Sequence, residues 1–90
     1  MLKKGVPQVS VIIPAYNAEK YIEECVLSVL GQSYQNLEVI VVNDGSSDST
    51  LSILLNMQKR FPSMAVFSKD NEGFSAARNF GISKAHGKYV

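Results

Sequence analysis

Tryptophan is absent from this sequence, cysteine and histidine occur once each, and proline three times. Each shortage removes a class of chemistry. The single Cys25 has no partner for a disulfide, which excludes a stapled secreted scaffold and fits a reducing compartment. Lying in a helical apolar pattern, it is expected to be a buried structural thiol. The single His86 has no second imidazole or cysteine at ligand spacing, which excludes a zinc site, and no acid or nucleophilic serine pairs with it; a contact with the last carbonyls of a helix is expected. Neither sign of charge is in excess: nine Lys and Arg against eight Asp and Glu give +1. The basic residues scatter from Lys3 to Lys88 without a stripe, so nucleic acid is not expected as a partner. Long hydrophobic runs are missing too. The stretch between Lys4 and Pro14 holds an apolar run of only about five residues, too short for a signal peptide or membrane span. The expected location is therefore cytoplasmic, including the cytoplasmic face of a membrane. Glycine-rich phosphate loops are also lacking: PAYNAEK follows the first apolar run where a dinucleotide fingerprint would need glycines, and no Gly-Lys-Ser/Thr occurs.

What is present is an ordinary globular composition, 46% apolar and 19% charged over 90 residues. A chain of this size buries only about 60 to 65% of its unfolded surface, so a sheet covered on both faces would be marginal unless it continued or associated. Val9 to Ile13, VSVII, reads as a central strand buried on both faces and ended by Pro14, which removes a ladder donor; Asn17 is suited to cap the following helix. Tyr21, Ile22, Cys25, Val26, Val29 and Leu30 recur at helical spacing opposite Glu19, Lys20, Glu23 and Glu24, with Gly31 at the end. After 32–36, Leu37 to Val42 is a second strand. Asp48 or Ser49 can cap a second helix whose apolar face is Leu51, Leu54, Leu55, Met57 and Phe61, closed by Pro62. Met64 to Phe67 makes a third strand and 69–73 a polar loop. A third helix over Phe74 to His86 presents Phe74, Ala77, Gly81, Ile82 and Ala85, Gly87 terminates it, and Lys88 opens a fourth strand. This alternation predicts an open, doubly wound, mostly parallel α/β sheet with right-handed crossovers.

In such sheets ligands gather where loops leave the carboxyl ends of the strands. Three polar loops lie there: Ala15 to Asn17, Asn43 to Asp48, and Asp70 to Gly73. Asp44 ends a strand, so its carboxylate is either an acceptor facing the crevice, suited to a base N–H or a ribose hydroxyl, or a turn aspartate bonding its own backbone. Tyr16 either stacks on a base, worth about 1 to 3 kcal/mol, or packs half-buried. Asp48 either reaches a sugar hydroxyl or caps a helix. Arg78 and Asn79, early in the third helix, either meet a diphosphate or form an ordinary solvated face.

Taken together, VSVIIPAYNAEKYIEECVLSVLGQSY, LEVIVVNDGSSDST and NEGFSAARNFGISKAHGKYV, in that order and at strand–helix spacing, resemble the N-terminal half of the nucleotide-sugar domain of family 2 glycosyltransferases, which have the GT-A fold. The resemblance implies inverting transfer of a sugar from a nucleoside diphosphate donor, most often a UDP-sugar, to a saccharide or lipid acceptor. It implies that Pro14, Ala15, Tyr16 and Asn17 line the nucleoside, with Tyr16 against the base, that Asp44 accepts from uracil N3–H with Gly45 and Ser46 beside it, and that Glu19 supports the nucleoside or ribose. Asn71, Gly73, Arg78 and Asn79 match the family's N-x-G-x-x-x-A-R-N block near the donor.

The family's Asp-x-Asp, which holds Mg²⁺ or Mn²⁺ against the diphosphate, follows a GKYV-like segment and is expected after Val90; none of the eight acidic residues makes that pair, and no catalytic base is recognised. The expectation is that residues 1–90 are the N-terminal part of a transferase domain: three βα units and the start of a fourth strand. They would carry the nucleoside half of the donor site, be inactive and metal-free alone, and self-associate through the exposed sheet edge. Two alternatives stay open. A sugar nucleotidyltransferase would show a glycine-rich, arginine-containing loop after the first strand, and PAYN lacks one; a non-catalytic nucleotide-binding or assembly module would not.

Overall fold

The computed structural model describes residues 9–31 and 37–85. Over these the chain alternates: β1 (Val9–Ala15), α1 (Ile22–Leu30), β2 (Leu37–Asp44), α2 (Thr50–Arg60), β3 (Met64–Lys69) and α3 (Phe74–Lys84). The strands form one parallel sheet in the order β1-β2-β3, with Val9 opposite Leu37 and Val39 opposite Met64. The expectations for the linker 32–36, for His86 and Gly87, and for a strand opening at Lys88 lie outside the described residues.

β2 is the axis of the sheet because its sequence is apolar on both faces. Val39 and Val41 join Ile22, Val26, Leu54 and Met57 in a core under α1 and α2, while Ile40 and Val42 join Ala77 in a second core under α3. Full burial of side chains such as Val26 and Leu54 contributes about 1.5 to 3 kcal/mol each. The helices thus lie on opposite faces, two and one, as a doubly wound sheet requires. α3 packs over β1 and β2, so the chain after β3 turns back across the sheet toward β1.

Several expectations change. β1 runs on through Pro14 to Ala15, with Pro14 opposite Val42. Among the described residues β1 has a neighbour on one side only, and a strand so placed uses every second N–H, so a proline is tolerated. Over the described residues β1 is half-buried along most of its length, with Ser10 and Ala15 buried. α1 begins at Ile22 after a turn closed by the Tyr21 and Ile22 amides on the Ala18 carbonyl, and Asn17 does not cap it. Its buried stripe is Ile22 and Val26, flanked by Val29 and Leu30; Tyr21 and Cys25 fall beyond the stripe's edge and are exposed. Cys25 is therefore an exposed thiol, not a buried one. On α2, Ile53 rather than Leu55 turns inward, and on α3 Phe80 replaces Phe74 and Ile82, which are exposed. These three errors share a cause: a helix gripped by one sheet face buries a stripe narrower than its apolar content.

Gly81 sets how closely α3 sits. A Cβ there would lie 2.5 Å from Ile12 Cγ2 and 3.2 Å from Val42 Cγ2, both on β-branched side chains that have few rotamers to yield with. Glycine is unfavourable in a helix by about 1 kcal/mol, so the close approach outweighs propensity here. Gly81→Val should lower the unfolding free energy by about 2 to 3 kcal/mol, as overpacking does, read as a reduced urea midpoint with unchanged slope.

Candidate functional site at the carboxyl ends of the strands

The three strands end side by side, and the loops after them are tied to one another. The β1–α1 and β2–α2 loops form one hydrogen-bonded seam. The Asn17 amide donates to Ser46 Oγ at 2.9 Å, and Asn17 Oδ1 accepts from the Ser47 amide at 2.8 Å. Asn17 has a φ of 47°, a left-handed conformation that asparagine tolerates better than most residues and that this double contact stabilises. Further along, the Ala18 amide donates to Thr50 Oγ1 at 2.8 Å, the Glu19 amide to Asp48 Oδ2 at 3.3 Å, and the Ser49 amide to Glu19 Oε1 at 2.8 Å. Glu19 and Asp48 thereby both serve the start of α2. Asp48, one residue before the N-cap Ser49, also accepts from the Thr50 amide at 2.9 Å and from the Thr50 hydroxyl at 2.5 Å, so its carboxylate is occupied at the entry to α2 without being the helix cap.

The β2–α2 and β3–α3 loops are joined through Asp44. Its side chain is 1% exposed, with Oδ1 accepting from the Glu72 amide and Oδ2 from the Gly73 amide, each at 2.9 Å. Asn71 Nδ2 donates to the Asp44 carbonyl at 3.0 Å. Lys69, which stands opposite Asp44 in the sheet register, places Nζ 3.7 Å from Asp44 Oδ1 and also pairs with Glu72. The Glu72 carboxylate beside it raises the Lys69 ammonium above the usual lysine range. Gly45 has a φ of 67°, and a Cβ on it would stand 2.6 Å from the Asn71 amide nitrogen, so only glycine lets these loops meet. Gly73 needs glycine for its φ of 98° alone, because the space beside it is open.

Of the two readings of Asp44, a crevice-facing acceptor or a turn aspartate bonding its own backbone, the structure shows neither by itself: both oxygens accept from the backbone of the third loop. Pro14 and Ala15 lie in β1 itself, Tyr16 is 43% exposed on the loop that follows, and Ser46 is held by Asn17 and by Asn43. Arg78 and Asn79 are exposed on α3, without a hydrogen bond or ion pair among the described residues. No three His, Cys, Asp or Glu side chains among the described residues gather so as to hold a metal ion. The described residues also contain no helix long and apolar enough to cross a membrane.

Comparison with known proteins decides the family. The profile described as "Glycosyl transferase family 2" matches residues 10–90. The chain belongs to glycosyltransferase family 2. An uncharacterized glycosyltransferase of Haemophilus influenzae is 43% identical over 87 residues, covering 96% of this chain and 35% of that protein. The hyaluronan synthase of Pasteurella multocida is 44% identical over 85 residues, 94% of this chain but 9% of its own length. Among solved structures, S. aureus TarS 1-349 in complex with UDP is similar at a TM-score of 0.80 and 33% identity over 92% of this chain and 26% of that one. PcManGT, a mannosyltransferase from Pyrobaculum calidifontis in complex with GDP-Man and Mn²⁺, gives 0.75 and 31% over 91% and 25%. The fold is accordingly the N-terminal portion of GT-A, and the chain spans about a third or less of each of these relatives.

Within this family 2 chain, sequence reasoning missed Lys69. It read the residue as the first of a polar loop, whereas β3 extends through it; a lysine opposite a strand-end aspartate becomes visible only once the β2–β3 register is known. Asp48 carries a titration signature. Desolvation pushes its carboxyl up, but hydrogen bonds from the Thr50 hydroxyl and amide and from the Glu19 amide outweigh this and hold it below the ordinary aspartate range. A depressed folded-state pKa stabilises above the unfolded value and is lost as pH falls through the folded one. The stability gap between wild type and Asp48→Asn should therefore be full at pH 7 and shrink below about pH 4, measured by chemical denaturation across that range.

Proposed function

We propose that this chain forms the nucleoside-binding part of a glycosyltransferase donor site, in a protein that transfers sugar from a nucleoside diphosphate sugar, a UDP-sugar above all, to a saccharide or lipid-linked acceptor with inversion. The observation that carries this reading is the interlocking of the three loops at the strand ends, which ties Asn17 and Glu19 to the 46–50 loop and buried Asp44 to Asn71 and Gly73, with Tyr16 exposed beside them. It is supported by family 2 relatives and by solved neighbours in complex with UDP and with GDP-Man and Mn²⁺.

In this reading the Tyr16 ring covers the base. A carboxylate offers about four acceptor positions, and the two Asp44 amide bonds leave others for a base N–H, reached by a small shift of the loop above it. Arg78, exposed and unpaired among the described residues, supplies a cation toward the diphosphate. The divalent cation belongs to the whole enzyme, and the described residues hold no cluster that fits it. The working place is the cytoplasm or the cytoplasmic face of a membrane, and an exposed sheet edge favours self-association of the chain by itself.

A second reading is favoured by the burial of Asp44: a carboxylate that only braces the fold. The two separate on titration with UDP, followed by calorimetry. Base recognition predicts that wild type binds, that Tyr16→Ala weakens binding by about tenfold with little change in melting temperature, and that Asp44→Asn abolishes it. Failure of wild type to bind UDP, or full affinity in both variants, would leave the bracing role.

A further inference from the structure

Lys69 is a cation of the strand-end cluster that neither the family pattern nor the proposed ligand contacts use. It is only 14% exposed although its stem ends in an ammonium. From the end of β3 that ammonium makes three connections at once: the Asp44 carboxylate at 3.7 Å, the Asp70 carbonyl at 3.0 Å, and the Glu72 carboxylate. Asp44 in turn receives the Glu72 and Gly73 amides. Lysine, carboxylate and loop backbone therefore form a closed ring. Its members start on two adjacent strands, and it ends on the residue that opens α3.

The chemistry of the ring explains its geometry. A carboxylate buried as deeply as Asp44 is stable only with donors around it, and two amides plus a nearby cation provide them. The same cation balances Glu72, whose amide points at Asp44, so that charge repulsion between the two carboxylates does not lift the loop away. Gly73 reaches its φ of 98° freely because it is glycine, and the ring selects that path among the many open to it.

We propose that Lys69 is a positioning residue of the donor site: it locks the Asp44 carboxylate and the 70–73 loop into a single unit, fixing the place of Asn71 and of the α3 start that leads to Arg78. This rests on the nucleotide-binding reading above. Lys69 itself touches no ligand in it.

The test uses Lys69→Met, which keeps the apolar stem, and Lys69→Arg, which keeps the charge, with hydrogen exchange followed by NMR and UDP titration on the same samples. Exchange of the Glu72 and Gly73 amides should accelerate by about tenfold in Lys69→Met, while amides in the middle of β2 stay protected, and UDP affinity should fall by a similar factor. Lys69→Arg should recover most of both. Unchanged exchange at Glu72 and Gly73, or acceleration spread evenly over β2, would overturn the proposal, as would a loosened loop with undiminished UDP affinity. If wild type takes up no UDP while the loop still loosens in Lys69→Met, the donor-site reading fails and Lys69 remains a latch of the fold alone. Should Lys69→Met not fold, Glu72→Gln opens the ring from its exposed side, and unchanged exchange at Gly73 in that variant would equally overturn the proposal.

Discussion

A carboxylate at the end of the central strand needs donors, and the way Asp44 obtains them organises this molecule. β2 is buried on both faces, so its last side chain cannot reach bulk water for solvation. The donors come from the backbone after β3, which obliges that loop to fold over the end of β2 instead of extending into solvent. Two glycines follow from this one demand. Gly45 leaves room for Asn71 to approach, and Gly73 turns the chain into α3. Helix α3 then starts near β2 and lies across β2 and β1, with Gly81 allowing it to settle onto Ile12 and Val42.

The seam between the first two loops works differently. There the donors and acceptors are mostly side chains of Asn17, Ser46, Glu19, Asp48 and Thr50 meeting backbone amides, much of it at the surface. Exposed hydrogen bonds add little to stability, commonly about 1 kcal/mol or less apiece. What they do is reduce the freedom of the two loops and hold them against each other. Residues that look like ligand contacts in the sequence are thus occupied with each other, which is how a site built on loops becomes as fixed as the sheet beneath it.

The sequence made the larger features legible because they rest on strong, local signals. β-branched runs and amphipathic segments marked the six described elements, and the motif blocks identified the family. Exposure was less readable. Cys25, Leu55, Phe74 and Ile82 are apolar and fall near a helical face, yet whether such a residue is covered depends on how wide a stripe the sheet face grips, which no periodicity records. The direction of Asp44 was hidden for a related reason: its donors lie 28 and 29 residues away, on a loop whose position depends on the β2–β3 register. Lys69 was hidden by the same register, since a lysine before Asp70 has the look of any solvated turn.

The topology also explains why the polar residues of this chain are distributed as they are. With α1 and α2 on one face and α3 on the other, winding reverses at β1, and in open parallel sheets the ligand crevice lies at that reversal, outside the carboxyl ends of the strands. The loop after β1 borders it, and carries Tyr16 and Asn17. The loop after β2 is one strand removed and can reach it only if pinned inward, which the Asn17–Ser46–Ser47 contacts accomplish. The loop after β3 is two strands removed, too far to contribute from its own strand end. It is drawn across onto Asp44, and α3 lies back over β2 and β1. Each loop is therefore tethered to the one nearer the crevice, so that a change at the outermost strand, as at Lys69, is transmitted inward through Asp44.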